Sequence, residues 1–228
     1  MSSLLERIRR FARRDIAKDT VTGFGFEGSL LFSSMLSFAL LGRSLGPSGF
    51  GDYASLYAIA TPLITLASTG VALAQAQHVV RDHEDLEATT RSCLAISIWS
   101  GLLMTAVGTG LALLIIEGLP LRAIVPVFLL EFVSYPAVLI GANTIQAVDG
   151  YAAATPVRIV PIWFRIAIIL VLYALGHLTI VTLGITYLIT TAIIGVVLMA
   201  RVGRRYNIRM LPGRVQLKHV KSSLVYSF

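Results

Sequence analysis

The sequence predicts an all-α protein that crosses a membrane several times, and three observations carry that prediction. Hydrophobic residues make up 56% of the 228 and charged residues only 14%, against roughly 45–50% and about 25% in soluble domains. Mean hydropathy is +0.79. The apolar residues fall into six continuous runs of about 20, the length a helix needs to cross ~30 Å of hydrocarbon, and none alternates as a barrel strand does. This composition excludes a cytosolic globular enzyme, a disordered chain and a secreted disulfide scaffold. The lone Cys93 excludes an intramolecular disulfide and a cysteine metal cage.

The elements follow in order. Residues 1–20 carry Arg7, Arg9, Arg10, Arg13, Arg14 and Lys18, with Leu4, Leu5, Ile8, Phe11, Ala12 and Ile16 at helical spacing between them. That pattern reads as a basic amphipathic helix lying on the anionic inner face of a membrane, or as a solvated basic tail that sets topology. A cleaved signal peptide is not expected, because the charged stretch is too long and no small-residue cleavage site follows. The bundle at 21–200 holds six spans, Val21–Gly42, Asp52–Ala74, Ser92–Ile116, Ala123–Val148, Arg158–Gly176 and Leu178–Ala200. Residues 201–221 form a basic linker, and 222–228 turn apolar as if opening an incomplete seventh span.

Orientation comes from the cations. Of the 19 Lys and Arg, sixteen fall in the N-terminal segment, the second and fourth connections, and the segment after the sixth span. Only Arg43 and Arg122 fall on the other side, and Arg165 lies within a span. The positive-inside bias therefore expects both termini in the cytoplasm and the chain in the cytoplasmic (cell) membrane. The same bias accounts for the net charge of +7, so no nucleic-acid partner is expected.

An ionisable side chain in hydrocarbon costs at least ~2.5–3.5 kcal/mol and calls for a reason. Glu27, Glu131 and Arg165 are such residues. By helix rise, Glu27 and Arg165 lie about 9 and 10 Å from the cytoplasmic side, a matching depth that would let them pair, while Glu131 lies about 12 Å from the outer side. They either line a translocation cavity, with Arg158 near its mouth, or form a buried structural pair beside a neutral Glu131. Pro62, Pro126, Pro136 and Pro161 interrupt spans and imply kinks. Asn143 and Gln146, near the cytoplasmic end of the fourth span, read as cavity-lining polar groups or as plain interfacial residues. His78 and His83 lie among Asp82, Glu84, Asp85 and Glu87 in what reads as a solvated acidic loop, so no metal site is expected. Gly46-Pro47-Ser48-Gly49 spells the GxSG of intramembrane proteases, but Ser48 falls in a loop with no histidine placed to activate it. No nucleotide-binding glycine pattern is present, and no cofactor is expected.

The stretch Arg43-Ser-Leu-Gly-Pro-Ser-Gly-Phe-Gly-Asp-Tyr53 resembles the R-x-LGP-x-x-FG-x-Y pattern in the first outer loop of Wzx-like polysaccharide and oligosaccharide flippases. These belong to the multidrug/oligosaccharidyl-lipid/polysaccharide exporter superfamily. Ser68–Ala74 is similar to that family's small-residue end of the second span, and Ile145–Tyr151 to its turn between the fourth and fifth. Within the loop Arg43, Gly46, Pro47, Phe50, Gly51 and Tyr53 read as architecture, a tight turn and re-entry into the next helix, with Tyr53 and Tyr57 as interfacial anchors.

The resemblance implies the N-terminal lobe of a carrier that moves a lipid-linked oligosaccharide by alternating access, with no covalent chemistry. Basic residues, Arg165 before Arg158, would meet the anionic part of that substrate. Membrane lipids and a second lobe, or a second copy of the chain, are the implied partners. A drug or lipid exporter of the same superfamily and a non-transporting scaffold of a polysaccharide-assembly complex are the alternatives.

Overall fold

The computed structural model describes the backbone of residues 2–65, 68 and 70–227 and the side chains of 20–65, 68 and 70–226. The amphipathic face expected over residues 1–20 depends on side chains outside the described ones. Thr69 of the second motif and Phe228 of the expected seventh span also lie outside them.

Regular structure among the described residues is helical throughout. The chain forms α1 (Ser2–Ile64), α2 (Gly70–Ala76) with a π-helical turn at Gln77–Arg81, and α3 (Leu86–Ile115). A second π-helical turn, Leu130–Ser134, joins α4 (Leu121–Leu129) to α5 (Tyr135–Asp149), and α6 (Tyr151–Ala174), α7 (Ile180–Tyr206) and α8 (Leu217–Ser227) follow. Five segments are long and apolar enough to cross a membrane: Thr20–Ile64, Leu86–Ile115, Leu121–Asp149, Tyr151–Ala174 and Ile180–Tyr206. Their outer faces are apolar as well, with Trp99, Leu114 and Val196 each more than two-thirds exposed. A helix hydrophobic all round belongs in lipid rather than water, and the chain is a multi-pass membrane protein.

The first segment departs from a simple rod. Its 45 residues would span about 68 Å at 1.5 Å per residue, roughly twice the hydrocarbon thickness. Gly46 interrupts it at φ 69°, ψ 177°, a backbone region open essentially to glycine alone. The chain doubles back there. Phe38 and Phe50 meet edge to face with ring centroids 5.5 Å apart, although a continuous helix would separate them by about 18 Å. Pro47 begins the second arm, where its missing N–H costs nothing. Two arms thus stand where the sequence expects the first two spans. Among the remaining loop residues, Phe50 packs against the first arm, while Arg43 and Gly51 are exposed.

Helix ends follow their local chemistry. Asp85 caps α3 by accepting from the backbone N–H of Ala88 at 2.7 Å. Thr179 and Thr182 form a reciprocal cap on α7. That helix closes on Arg204, Arg205 and a left-handed Asn207, cations suiting the negative end of the dipole. The core centres on Phe128 and Phe132, fully buried on adjoining parts of α4 and the second π turn, with Leu41, Leu56 and Ile124 around them.

Beyond α7 the chain folds back. The amide of Gly213 donates to the carbonyl of Arg91, and that of Gln216 to the Ser92 hydroxyl. Residues 222–227, the expected opening of a seventh span, belong to the short α8 that lies along α2 and the first π turn. Ser222 meets His78 at 3.0 Å, Lys218 pairs with Glu84 at 2.7 Å, and Tyr226 donates to Gln77. Burial opposes ionisation of Glu84, but hydrogen bonds from Lys218 and His219 prevail and hold its carboxyl at about 2. His219 is lowered from its ordinary value, chiefly by burial.

Replacing Gly46 with alanine puts a Cβ into a strained backbone, a cost of about 1–3 kcal/mol. The expected outcome is a lowered thermal midpoint in detergent, whereas alanine at the neighbouring Gly51, whose Cβ would meet open space, leaves the midpoint near that of the parent chain.

Candidate functional site

A cavity of about 390 Å³ opens between the two arms of α1, the π turn after α4, and helices α6 and α7. Its polar lining is set by helical spacing. Ser33 and Ser37 are buried one turn apart on the first arm, and Tyr53 and Tyr57 are one turn apart on the second. Residues four apart share a face, so the Gly46 hairpin lays a serine stripe beside a tyrosine stripe. Arg165 enters from α6, Tyr187 from α7 and Glu131 from the π turn.

Arg165 is the centre of the arrangement. Its guanidinium donates to the Tyr53 hydroxyl and lies 5.2 Å from the ring centroid of Tyr57 and 5.8 Å from that of Tyr187. Cation–π contacts within ~6 Å contribute about 0.5–2 kcal/mol each, and a hydrogen bond to a charged group about 1.5–3 kcal/mol. Together these rival the ~2.5–3.5 kcal/mol that an arginine costs at the centre of a membrane helix. The charge is therefore tolerated without an acidic neighbour in direct contact. Glu131 is engaged elsewhere, accepting from Tyr57 at 2.6 Å. Tyr57 stands between the two, its hydroxyl on the carboxylate and its ring under the guanidinium. The Tyr187 hydroxyl donates to the Pro161 carbonyl at 3.4 Å, which anchors that ring beside α6.

The π turn explains how Glu131 reaches the cavity. Pro126 and Pro136 bracket it, each removing a backbone donor, and the extra residue per turn rotates the face that follows. Gly101 of α3 seats this turn. A Cβ there would lie 2.1 Å from the Phe132 carbonyl oxygen, well inside the 3.0 Å below which something must shift.

Of the four residues expected at a translocation cavity, the structure brings Glu131 and Arg165 to this one; Glu27 and Arg158 do not line it. Glu27 is exposed on the first arm and forms no ion pair with Arg165, so the pairing suggested by their matched depth is absent. Depth along a helix says nothing of the direction a side chain faces, and Arg165 is turned to the tyrosines instead. Arg158 clasps α5 to α6. It donates to Asn143 at 2.7 Å and to Gln146 at 2.5 Å and lies 5.3 Å from the Tyr151 ring. The turn at Gly150, φ 89°, folds those helices together, so Asn143 and Gln146 are partners rather than plain interfacial residues.

Tyr53 and Tyr57 line the cavity instead of anchoring an interface. Sequence reasoning passed over the signal that would have placed them, polar residues at i, i+4 in both arms of the hairpin. A larger hollow of about 610 Å³ lies among α3, α5 and α7. It is apolar apart from Ser134 and Arg204, so the smaller polar cavity is the candidate site.

A family model described as polysaccharide biosynthesis protein matches residues 30–228. No curated protein and no solved structure matches the chain.

Gly101→Ala is expected to push the π turn off α3 and displace Glu131, at about 1–3 kcal/mol for the overpacking. The check is a fall in thermal midpoint in detergent, set against Gly110→Ala on the same helix, where a Cβ meets open space and no such fall is expected.

Proposed function

The chain belongs to the polysaccharide biosynthesis protein family, and from that membership we propose that it is the first lobe of a flippase. Its cargo would be a lipid-linked oligosaccharide or polysaccharide precursor, carried from the cytoplasmic to the outer leaflet of the cell membrane by alternating access. The observation that carries the reading is Arg165, one cation held on tyrosine faces at the wall of a polar cavity inside an apolar bundle. A guanidinium fits a phosphate or carboxylate with two parallel donors, and a lipid-linked sugar presents such an anion where its lipid and sugar join.

In this reading the tyrosines do two jobs. The rings of Tyr57 and Tyr187 hold the charge before cargo arrives, and the Tyr53 hydroxyl, which accepts from Arg165, retains its proton to donate to sugar. Glu131, occupied by Tyr57, keeps that ring in place. Moving a lipid leaves its bonds intact, so the protein is a carrier and not an enzyme. A second lobe or a second copy of the chain closes the far side of the cavity. The two arms of α1 cross separately, making six spans with both termini in the cytoplasm.

Two experiments test this. In proteoliposomes carrying a fluorescent polyprenyl-pyrophosphate oligosaccharide, Arg165→Ala in the complete transporter is expected to slow translocation about 10–100-fold. That corresponds to the ~1.5–3 kcal/mol of a charged hydrogen bond. Arg165→Lys should retain part of the rate. Unchanged translocation by Arg165→Ala, with normal protein level, would sink the cavity reading.

Topology is tested on single cysteines introduced at Ser48 and His83 in a Cys93→Ser background. A membrane-impermeant maleimide added to intact cells should label position 48, and position 83 only after permeabilisation. Labelling of both from one side would mean that the two arms do not cross separately.

A further inference from the structure

We propose that His78, Glu84 and His219 form a binding site for a divalent transition-metal ion of the zinc class, fastening α8 to the membrane bundle. The three residues come from separate places: the π turn after α2, the short connection into α3, and α8. One ligand atom of each lies within 4.8 Å of the others. The Nδ1 of His78 is 3.1 Å from a Glu84 carboxylate oxygen and 3.2 Å from one of Asp82. The Nε2 of His219 is 3.1 Å from the other Glu84 oxygen.

These separations lie just inside the spacing a bound metal needs, so the ligand atoms would open by a few tenths of an ångström to admit it. Zinc binds imidazole nitrogen and carboxylate oxygen at about 2.0–2.2 Å in a tetrahedron, which sets its ligand atoms roughly 3.3–3.6 Å apart. Two imidazoles with a carboxylate are a donor set for zinc and its first-row neighbours rather than for magnesium or calcium, which favour oxygen alone. Water would complete the tetrahedron, as it does in zinc sites with three protein ligands.

A second observation points the same way. The His78 Nδ1 is buried and makes no hydrogen bond, although two carboxylate oxygens face it. On the other edge of the ring, Nε2 meets Ser222 at 3.0 Å. In the tautomer that donates Nε2–H to the serine, Nδ1 turns a lone pair toward carboxylate oxygens, a contact that a metal ion bound there would relieve. Metal-bound imidazoles characteristically have their far nitrogen hydrogen-bonded in this way. Lys218, 2.7 Å from Glu84 and half exposed, supplies a positive charge at the cluster now and can swing into solvent when a metal takes that role.

The test uses the whole chain in detergent micelles, dialysed against a chelator and then titrated with Zn²⁺ by calorimetry and with Co²⁺ by visible absorption. The expected result is one ion per chain, with the intense cobalt bands of a four-coordinate site. His219→Gln and His78→Gln should weaken binding by more than the ~100-fold that loss of a supporting hydrogen bond can cost, and Ser222→Ala by about 10-fold. Lys218→Ala should bind more tightly than the parent chain, since no ammonium competes. His83→Gln, exposed beside the cluster, should bind as the parent does.

Thermal midpoints without metal identify any variant that has lost its fold. Absence of a stoichiometric site in the parent chain overturns the proposal, as does unaltered binding by a folded His219→Gln. If the histidine variants fail to fold, unchanged affinity in both Ser222→Ala and Lys218→Ala overturns it equally.

Discussion

A positive charge that cannot leave the membrane interior governs much of this molecule. The guanidinium of Arg165 starts from α6 with apolar neighbours on either side in sequence, and hydrocarbon offers it no solvation. Water and lipid headgroups are replaced by three phenols and a hollow. Tyr53 and Tyr57 from α1 and Tyr187 from α7 must converge on it, and the convergence relies on several backbone devices. The hairpin at Gly46 brings the first two against the serines of the first arm. The π turn between Pro126 and Pro136 delivers the carboxylate that holds Tyr57. The close approach of Gly101 to the Phe132 carbonyl keeps that turn seated. Electrostatics, backbone strain and packing are here one problem solved at three removes.

Much of this was open to the sequence. Long apolar runs and the distribution of arginine identify a multi-pass helical protein, because the bilayer imposes a length and a backbone rule that few sequences meet by accident. Glu131 and Arg165 stood out for the same reason, since charge in hydrocarbon is costly and rare. The Gly46-Pro47 pair read correctly as a turn, one that φ at Gly46 bears out. The match to the polysaccharide biosynthesis protein family, residues 30–228, takes in the motif at Arg43–Tyr53 and begins within the first arm.

What stayed hidden is what depends on rotation and on distant segments meeting. Helix rise gives depth but not azimuth, which is why Glu27 and Arg165 shared a level and yet face apart. Tyr53 and Tyr57 near a loop suggested the interface, whereas burial between two arms required knowing that the arms fold flat together. Arg158 looked like a mouth residue until the Gly150 turn placed Asn143 and Gln146 against it. His219 carried no signal beside His78, because only the return of the chain after α7 lays α8 on the first π turn.

The serines of the first arm have a consequence of their own. Ser33 and Ser37 bond within their helix or sit buried and small, and they reach for nothing across the cavity. The other walls carry Tyr53, Tyr57, Arg165 and Tyr187. The hollow is wider because one wall withholds bulk: leucines at those two positions would narrow it and press apolar bulk toward the guanidinium. Emptiness here is encoded as firmly as contact, by two short side chains one helical turn apart.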